Sequence, residues 1–233
     1  DTESRGAGLI PTRLLIRPDW PIRRLRPLRG VEAVAAALGD EPPLPLRWAT
    51  RQVGSVRAAV AGEYLALAIE AVDGRLELGK RVRERSCVQV CASKLDAPQR
   101  GWHHPNPGIG QVNLMPTVAG RAAHASQQQG AEEAPAPNVQ VRSQPTAQGY
   151  ALQALIPLAL LKIGLEDVRF RLEVVLNGVF NTRLATQTAR PDSRTADVLT
   201  EGFFGDDVRR RATLFRTIWP EVDNRTYGFV RVK

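Results

Sequence analysis

The 233-residue chain is 43% hydrophobic and 24% charged, which is enough apolar material for one large domain with a sizeable core. It contains no apolar run approaching the ~20 residues that cross a bilayer, so we expect no membrane span. The net charge of +8 would suit an acidic partner such as a nucleic acid. The basic residues are mostly arginines scattered along the chain, which favours genome composition over a nucleic-acid interface as the source of this charge. The opening Asp-Thr-Glu lacks the positive start and apolar core of a signal peptide.

The first 47 residues are predicted to form an arm that packs along a larger domain. Residues 1–30 are predicted to be irregular, because four prolines break any long element, and seven arginines make this part basic. Apolar side chains such as Trp20 make the segment too hydrophobic for a free tail. A short helix is predicted at 31–38, where apolar residues recur at helical spacing and Gly39 follows as a terminating residue.

Residues 48–233 have the pattern of an all-β domain. Residues 56–60 and 65–69 alternate apolar and other side chains around positions 61–63, which predicts a hairpin. Further strands are predicted at 86–92, 109–115, 138–143, 149–156 and 225–232. Many short strands without a βαβ rhythm indicate a two-sheet antiparallel β-sandwich of jelly-roll type with a few short helices.

The clearest strand is predicted at residues 168–176. Every second residue is apolar, and this set is predicted to face the core: Val168, Phe170, Leu172, Val174 and Leu176. The intervening Arg169, Arg171 and Glu173 are predicted to face water, as in an antiparallel sheet with one buried face and one wet face. Two polar stretches, 119–137 and 182–211, are predicted to be long loops, the second with a short helix near 206–211.

Cys87 and Cys91 are the only cysteines in the chain. On a strand they lie on one face about 13 Å apart, whereas a disulfide needs Cα atoms within about 7 Å. We therefore expect two free thiols that are not bridged to each other. A zinc site would need a second pair of Cys or His ligands at suitable spacing, so a structural role is favoured.

Several stretches of the chain resemble a known family through their order. Four features occur in the same order as in family 9 carbohydrate-binding modules and the DOMON-related sugar-binding-like domains. They are Trp48 with residues 56–73, the run Gly149–Pro157, the strand 168–177 and the late Trp219. Gly149–Pro157 is similar to the recurrent Gly-Tyr-x-x-Glu-x-x-Ile-Pro strand of that family. The resemblance implies a β-sandwich that binds a glycan without catalysis, as a module of a larger periplasmic or secreted protein with other domains.

The chain departs from the family pattern at acidic positions. Gln153 stands where the family usually has Glu, and Ser86 and Cys87 stand where an acidic residue commonly opens a strand. In the family such acidic residues often support calcium or sugar contacts, so we expect no cofactor, and calcium is the one metal that the resemblance leaves open. The departures leave open an alternative, a structural or interaction domain whose sugar site has decayed.

The best candidate for a binding site is the loop Gly101–Pro107. A sugar ring needs an aromatic platform beside neutral hydrogen-bonding groups, and Trp102 is predicted to be that platform. The polar rim is predicted from His103, His104, Asn106 and Asn113, with further contacts at one end of the sandwich from Asn177, Asn181 and Arg183. The competing interpretation is that Trp102 closes the edge of the sandwich and the histidines are solvated.

A haem-binding electron-transfer domain is a second alternative. Some haem-binding relatives of this sandwich use Met and Lys as axial ligands, which here would be Met115 and Lys162. The simpler interpretation is that Met115 fills core space and Lys162 lies on a surface turn, so haem is disfavoured. The sequence has no Ser-His-Asp motif, P-loop or dinucleotide fingerprint, and we expect no enzymatic activity.

Replacing Trp102 with Ala is expected to abolish most ligand affinity while barely changing the melting temperature, because a binding platform contributes contacts to the ligand rather than to the core. If Trp102 instead closes the sandwich edge, the same substitution should cost about 3–5 kcal/mol of stability. A binding titration beside calorimetric melting separates these outcomes. Unchanged affinity in a folded variant would remove this loop from consideration.

Overall fold

The described residues of the computed structural model form thirteen β-strands, arranged in two sheets that share one core. It describes residues 19–48, 51–72, 76, 86–97, 106–118, 120–129, 132–177, 183–185 and 228–233. This architecture confirms the predicted all-β sandwich with few short helices.

The two sheets, A and B, are joined by β1 (Trp20–Leu25). Sheet A has the spatial order β8 (Glu132–Pro135), β7 (His124–Gln129), β6 (Ile109–Met115), β5 (Cys87–Ser93), β11 (Arg169–Asn177) and β13 (Gly228–Val232), and β12 (Arg183–Ala185) also pairs with β11. Sheet B has the order β3 (Arg51–Ala61), β4 (Tyr64–Val72), β10 (Gly149–Pro157) and β9 (Gln140–Thr146), and β2 (Leu44–Trp48) also pairs with β3.

Strand β1 is hydrogen-bonded to both sheets. Residues 20–22 pair with β13 and residues 23–25 pair with β3, both in parallel. The prediction that residues 1–30 are irregular is therefore wrong for this segment. Lys233 donates its backbone N–H to Ile22 O and accepts the backbone N–H of Arg24, so these two residues of β1 face β13. The backbone nitrogen of Pro21 therefore faces away from β13. Because no hydrogen bond of this ladder needs an N–H at position 21, proline is tolerated there. The predicted domain boundary at residue 48 stays a prediction.

An ion-pair cluster anchors the start of β1 to sheet A. The Asp19 carboxylate accepts hydrogen bonds of 2.9 Å from Nε and Nη2 of Arg169 and one of 3.1 Å from Nε of Arg231. The Arg169 hydrogen bond lowers the pKa of Asp19, and Arg231 acts in the same direction while burial opposes both. The cluster thus fixes where the chain enters the seam between the sheets.

The core lies between the sheets and follows the predicted alternation. Phe170, Leu172, Val174 and Leu176 of β11 are buried and belong to one cluster with side chains of sheet B, which include Leu65, Leu67, Ile69, Leu152 and Ile156. Val168, also predicted to face the core, is 63% exposed. It precedes the first residue of β11, so the alternation of that strand does not apply to it.

Part of the outer face of sheet B is apolar and is covered by a short helix. Residues 31–37 form the predicted short helix, 3-10 in its first three residues. Val34 and Leu38 pack against Ala59, Ala66 and Leu155 of the sheet, forming a second buried cluster. Sheet B is therefore buried on both faces where the helix covers it, whereas Glu70 and Val72 farther along β4 are exposed.

Local turns follow the sequence in several places. β3 and β4 are joined by Gly62 and Glu63, and Gly62 takes the left-handed conformation that this turn requires, with φ of 60°. The helical turn predicted after Pro157 is a 3-10 turn at Leu158–Leu161. The helix predicted near 206–211 lies outside the described residues, as does most of the 182–211 loop.

The prediction of a long loop at 119–137 is wrong, because this stretch contains β7 and β8. Both strands lie near one end of sheet A, and β7 pairs with β6 on one side and β8 on the other. Their composition of Ala, Gln and Glu has little of the β-branched and aromatic content typical of strands. Pairing with a preceding strand, rather than local propensity, places them in the sheet.

Truncating Phe170 to Ala is expected to destabilise the fold by about 3–5 kcal/mol, because a fully buried ring leaves a cavity in the shared core. Chemical denaturation gives the value. As a matched control, Val168→Ala removes an exposed side chain next to the same strand and should change stability by less than about 0.5 kcal/mol. Equal effects of the two substitutions would contradict the placement of β11.

Replacing Asp19 with Asn is expected to cost about 1 kcal/mol at pH 7, a modest amount because both arginine partners are partly exposed and screened by solvent. The pKa of Asp19 is lower folded than unfolded, so its contribution is complete above the unfolded value near 3.9. It is lost as the pH falls through the folded value. Denaturation at several pH values should show the gap between wild type and variant closing in acid; a gap that persists at about pH 2 would contradict this role.

Candidate functional site

The outer face of sheet A is polar and yet buried. It consists of the side chains that point away from the shared core on β5, β6, β7, β8 and β11, and we call it the polar face. Its buried polar members are Gln89, Ser93, Gln111, Asn113, Ser126, Arg171 and Glu173. The prediction that Arg171 and Glu173 face water is therefore wrong. Buried polar groups require hydrogen-bond partners, whereas the outer face of an ordinary amphipathic sheet obtains them from water. The partners of the polar face therefore have to be identified.

Strand register places three amide side chains side by side. Gln89 of β5 lies opposite Asn113 of β6, and Asn113 lies opposite Ser126 of β7. Gln111 lies two residues before Asn113 and on the same face of β6. We call Gln89, Gln111 and Asn113 the amide row.

Hydrogen bonds connect the amide row to a carboxylate at one end of the sheet. Gln111 Nε2 donates to Asn113 Oδ1 at 2.9 Å, and Asn113 Nδ2 donates to Glu133 Oε1 at 3.2 Å. Ser126 Oγ also donates to Glu133 Oε1. The side chains are thereby held in defined orientations from β8 to β6.

Two oxygens of the amide row lack donors. Gln89 Oε1 and Gln111 Oε1 are both buried, and no donor among the described residues lies within hydrogen-bonding distance of either. A buried acceptor without a donor costs about 1–3 kcal/mol. A bound molecule or an ordered water that donates hydrogen bonds to these oxygens would recover that cost.

The other half of the polar face carries charge and an aromatic ring. The guanidinium groups of Arg169 and Arg171 lie over the ring of Phe229, at 4.5 and 4.9 Å from its centroid. Glu173 lies two residues beyond Arg171, opposite Cys91 of β5. The stacked groups hold two arginines in fixed positions beside the amide row.

The two cysteines also belong to this face. Both are buried and neither forms a disulfide, which confirms the prediction that they are not bridged to each other. They flank Gln89 at two residues on either side, so their sulfur-bearing side chains lie in the same row of β5. Cys91 packs with Ile109.

Some of the predicted site residues are described and others are not. Asn113 lies at the centre of the amide row. Asn106 is buried, and its Oδ1 accepts the backbone N–H of Gly108 at 2.9 Å, which closes the turn before β6. Asn177 ends β11 and pairs with Arg183 of β12. Four members lie outside the described residues, namely Trp102, His103, His104 and Asn181.

Sequence reasoning missed Gln89, Gln111 and Glu133. A signal for the glutamines was present, since each is polar between apolar neighbours in a predicted strand and is thus placed on the face opposite the core. Glu133 gave no such signal, because its strand was predicted to be a loop.

Met115 and Lys162, the two residues considered as haem ligands, differ in their exposure to solvent. Met115 is buried, whereas Lys162 is exposed in a left-handed turn. Among the described residues, no three side chains of His, Cys, Asp or Glu come close enough together to hold a metal ion. The described helices are all too short to cross a membrane.

Comparison with solved structures identifies the fold. The chain superposes on a carbohydrate-binding module of family 9 from Caldicellulosiruptor kristjanssonii in complex with cellotriose, with a TM-score of 0.60 over 93% of this chain and 94% of that one. A structure of such a module from the same organism with glucose gives a TM-score of 0.59 over 91% and 95%. Identity is 11% in both cases, so the likeness confirms the predicted fold alone. No family model and no curated protein sequence matches the chain.

Proposed function

We propose that this chain is a non-catalytic carbohydrate-binding module whose glycan docks on the polar face of sheet A. The single observation that supports this location is the pair of buried amide oxygens, Gln89 Oε1 and Gln111 Oε1, without donors among the described residues. The likeness to family 9 modules that hold cellotriose or glucose supports the class of ligand.

The chemistry of the face suits a sugar. Saccharide hydroxyls are donors and acceptors, so they can donate to the two glutamine oxygens and accept from neighbouring N–H groups. Binding by neutral amides orients a ligand without transferring a proton, which is consistent with recognition rather than hydrolysis. Hydrolysis would instead call for a pair of carboxyl groups about 5–9 Å apart around the scissile bond.

The unpaired acceptors also favour a working site over a decayed one. A face that had lost its ligand would gain stability by replacing a buried unpaired amide with an apolar side chain of similar volume. Gln89 and Gln111 remain polar although each is at most 3% exposed. The cost of keeping them is explained if a ligand uses both.

The predicted loop residues belong to the same proposal. Trp102, His103, His104 and Asn106 precede β6, the strand that carries Gln111 and Asn113. A platform at Trp102 would supply the apolar contact that the amide row lacks. We propose further that the module is part of a larger periplasmic or secreted protein, where polysaccharides are encountered, and that it has no resident cofactor.

Replacing Gln89 with Met is expected to lower affinity for cellotriose about tenfold or more, because the volume is kept while an acceptor for a ligand hydroxyl is lost. Stability should be unchanged or higher by about 1–3 kcal/mol, since a buried unpaired group is removed. Calorimetric titration and thermal melting measure the two effects.

Gln153→Met is the matched control, because Gln153 is a half-buried glutamine on the outer face of sheet B. It should leave affinity unchanged. Because we propose no resident cofactor, the affinity of the wild type for cellotriose should be the same with added calcium as with a chelator. The proposed location is wrong if Gln89→Met binds like wild type, and the proposed function is wrong if wild type binds no saccharide in a panel of oligosaccharides.

A further inference from the structure

One end of the amide row is fixed by a group that can only accept hydrogen bonds. An ionised carboxylate has no donor, so the Asn113 atom at 3.2 Å from Glu133 Oε1 must be the NH2 group. The same oxygen accepts the hydroxyl of Ser126, which also constrains that proton. The orientation of the Asn113 amide therefore follows from chemistry.

The constraint passes along the row to Gln111. With its NH2 group directed at Glu133, Asn113 presents its oxygen to Gln111, so the Gln111 atom at 2.9 Å must be the NH2 group. The Gln111 oxygen is then directed away from Asn113, where it lacks a donor among the described residues. Turning the Gln111 amide around would place two oxygens together, a contact without a hydrogen bond.

We propose that Glu133 is a positioning residue that sets the hydrogen-bond polarity of the site, so that the amide row presents an acceptor and selects saccharide hydroxyls over anionic groups. This inference rests on the proposed function. A carboxylate or a sulfate has only acceptors at neutral pH and cannot donate to Gln111 Oε1. A neutral sugar hydroxyl can.

The test inverts the relay with one substitution. In Glu133→Lys the introduced ammonium can only donate, so it favours the turned Asn113 amide, which then donates to Gln111 Oε1 and leaves the Gln111 NH2 group facing the ligand. The matched control is Glu132→Lys. It makes the same charge change on the preceding residue of β8, whose side chain points to the opposite face.

Each protein is titrated at about 0.15 M salt with cellotriose and with the same trisaccharide oxidised to a carboxylate at every C6 position. Wild type and Glu132→Lys are expected to prefer the neutral trisaccharide by about tenfold or more. Glu133→Lys is expected to lose at least about tenfold of that preference relative to Glu132→Lys. Glu133→Gln, compared with Glu132→Gln, should lose part of it, since an amide tolerates both orientations; this pair decides the matter if the lysine variant does not fold.

Equal preferences in the variants at 133 and 132 would overturn the role of Glu133 while leaving the proposed function intact. If the wild type prefers the oxidised trisaccharide, the claim that the site selects hydroxyls over anionic groups is wrong, while the proposed function still stands. A wild type that binds neither trisaccharide, nor any member of a wider oligosaccharide panel, would overturn both.

Discussion

The sandwich depends on one strand that serves both sheets. β1 pairs with β13 through its first half and with β3 through its second, so the two sheets meet along a single continuous backbone segment. Trp20 and Ile22 face inward and belong to the shared core, and Asp19 ties the start of the strand to two arginines of sheet A. Because β1 fixes the edge where the sheets join, it also fixes which face of each sheet is turned outward.

The two outward faces differ in chemistry. On sheet B a short helix packs on an apolar part of the outer face, and burial of that cluster stabilises the fold. Sheet A buries amides, a carboxylate and an arginine on its outer face, at a cost in desolvation that packing does not explain. Under the proposed function, a hydroxyl-rich ligand completes the hydrogen bonding of the amide row.

The sequence was most informative where a strand keeps strict alternation. The core residues of β11 and the turn at Gly62 follow from period two and from backbone sterics. It was least informative where strand pairing overrides local composition. Pro21 led to the prediction of an irregular arm where β1 lies, and the Gln-rich composition of β7 and β8 led to the prediction of a loop. The candidate site was only partly predictable for the same reason. Asn113 was identified from its residue type, whereas its partners Gln111 and Glu133 come together only through the register of β6, β7 and β8.

The most direct test of this account is nuclear magnetic resonance of the side-chain amides during a titration with cellotriose. If the glycan docks on the polar face, the NH2 signals of Gln89, Gln111 and Asn113 shift together and saturate with one dissociation constant, and the amide of Gln153 on sheet B does not move. The opposite pattern, with shifts confined to sheet B or with the three amide-row signals unchanged at saturation, would contradict the claim that this face is the binding site.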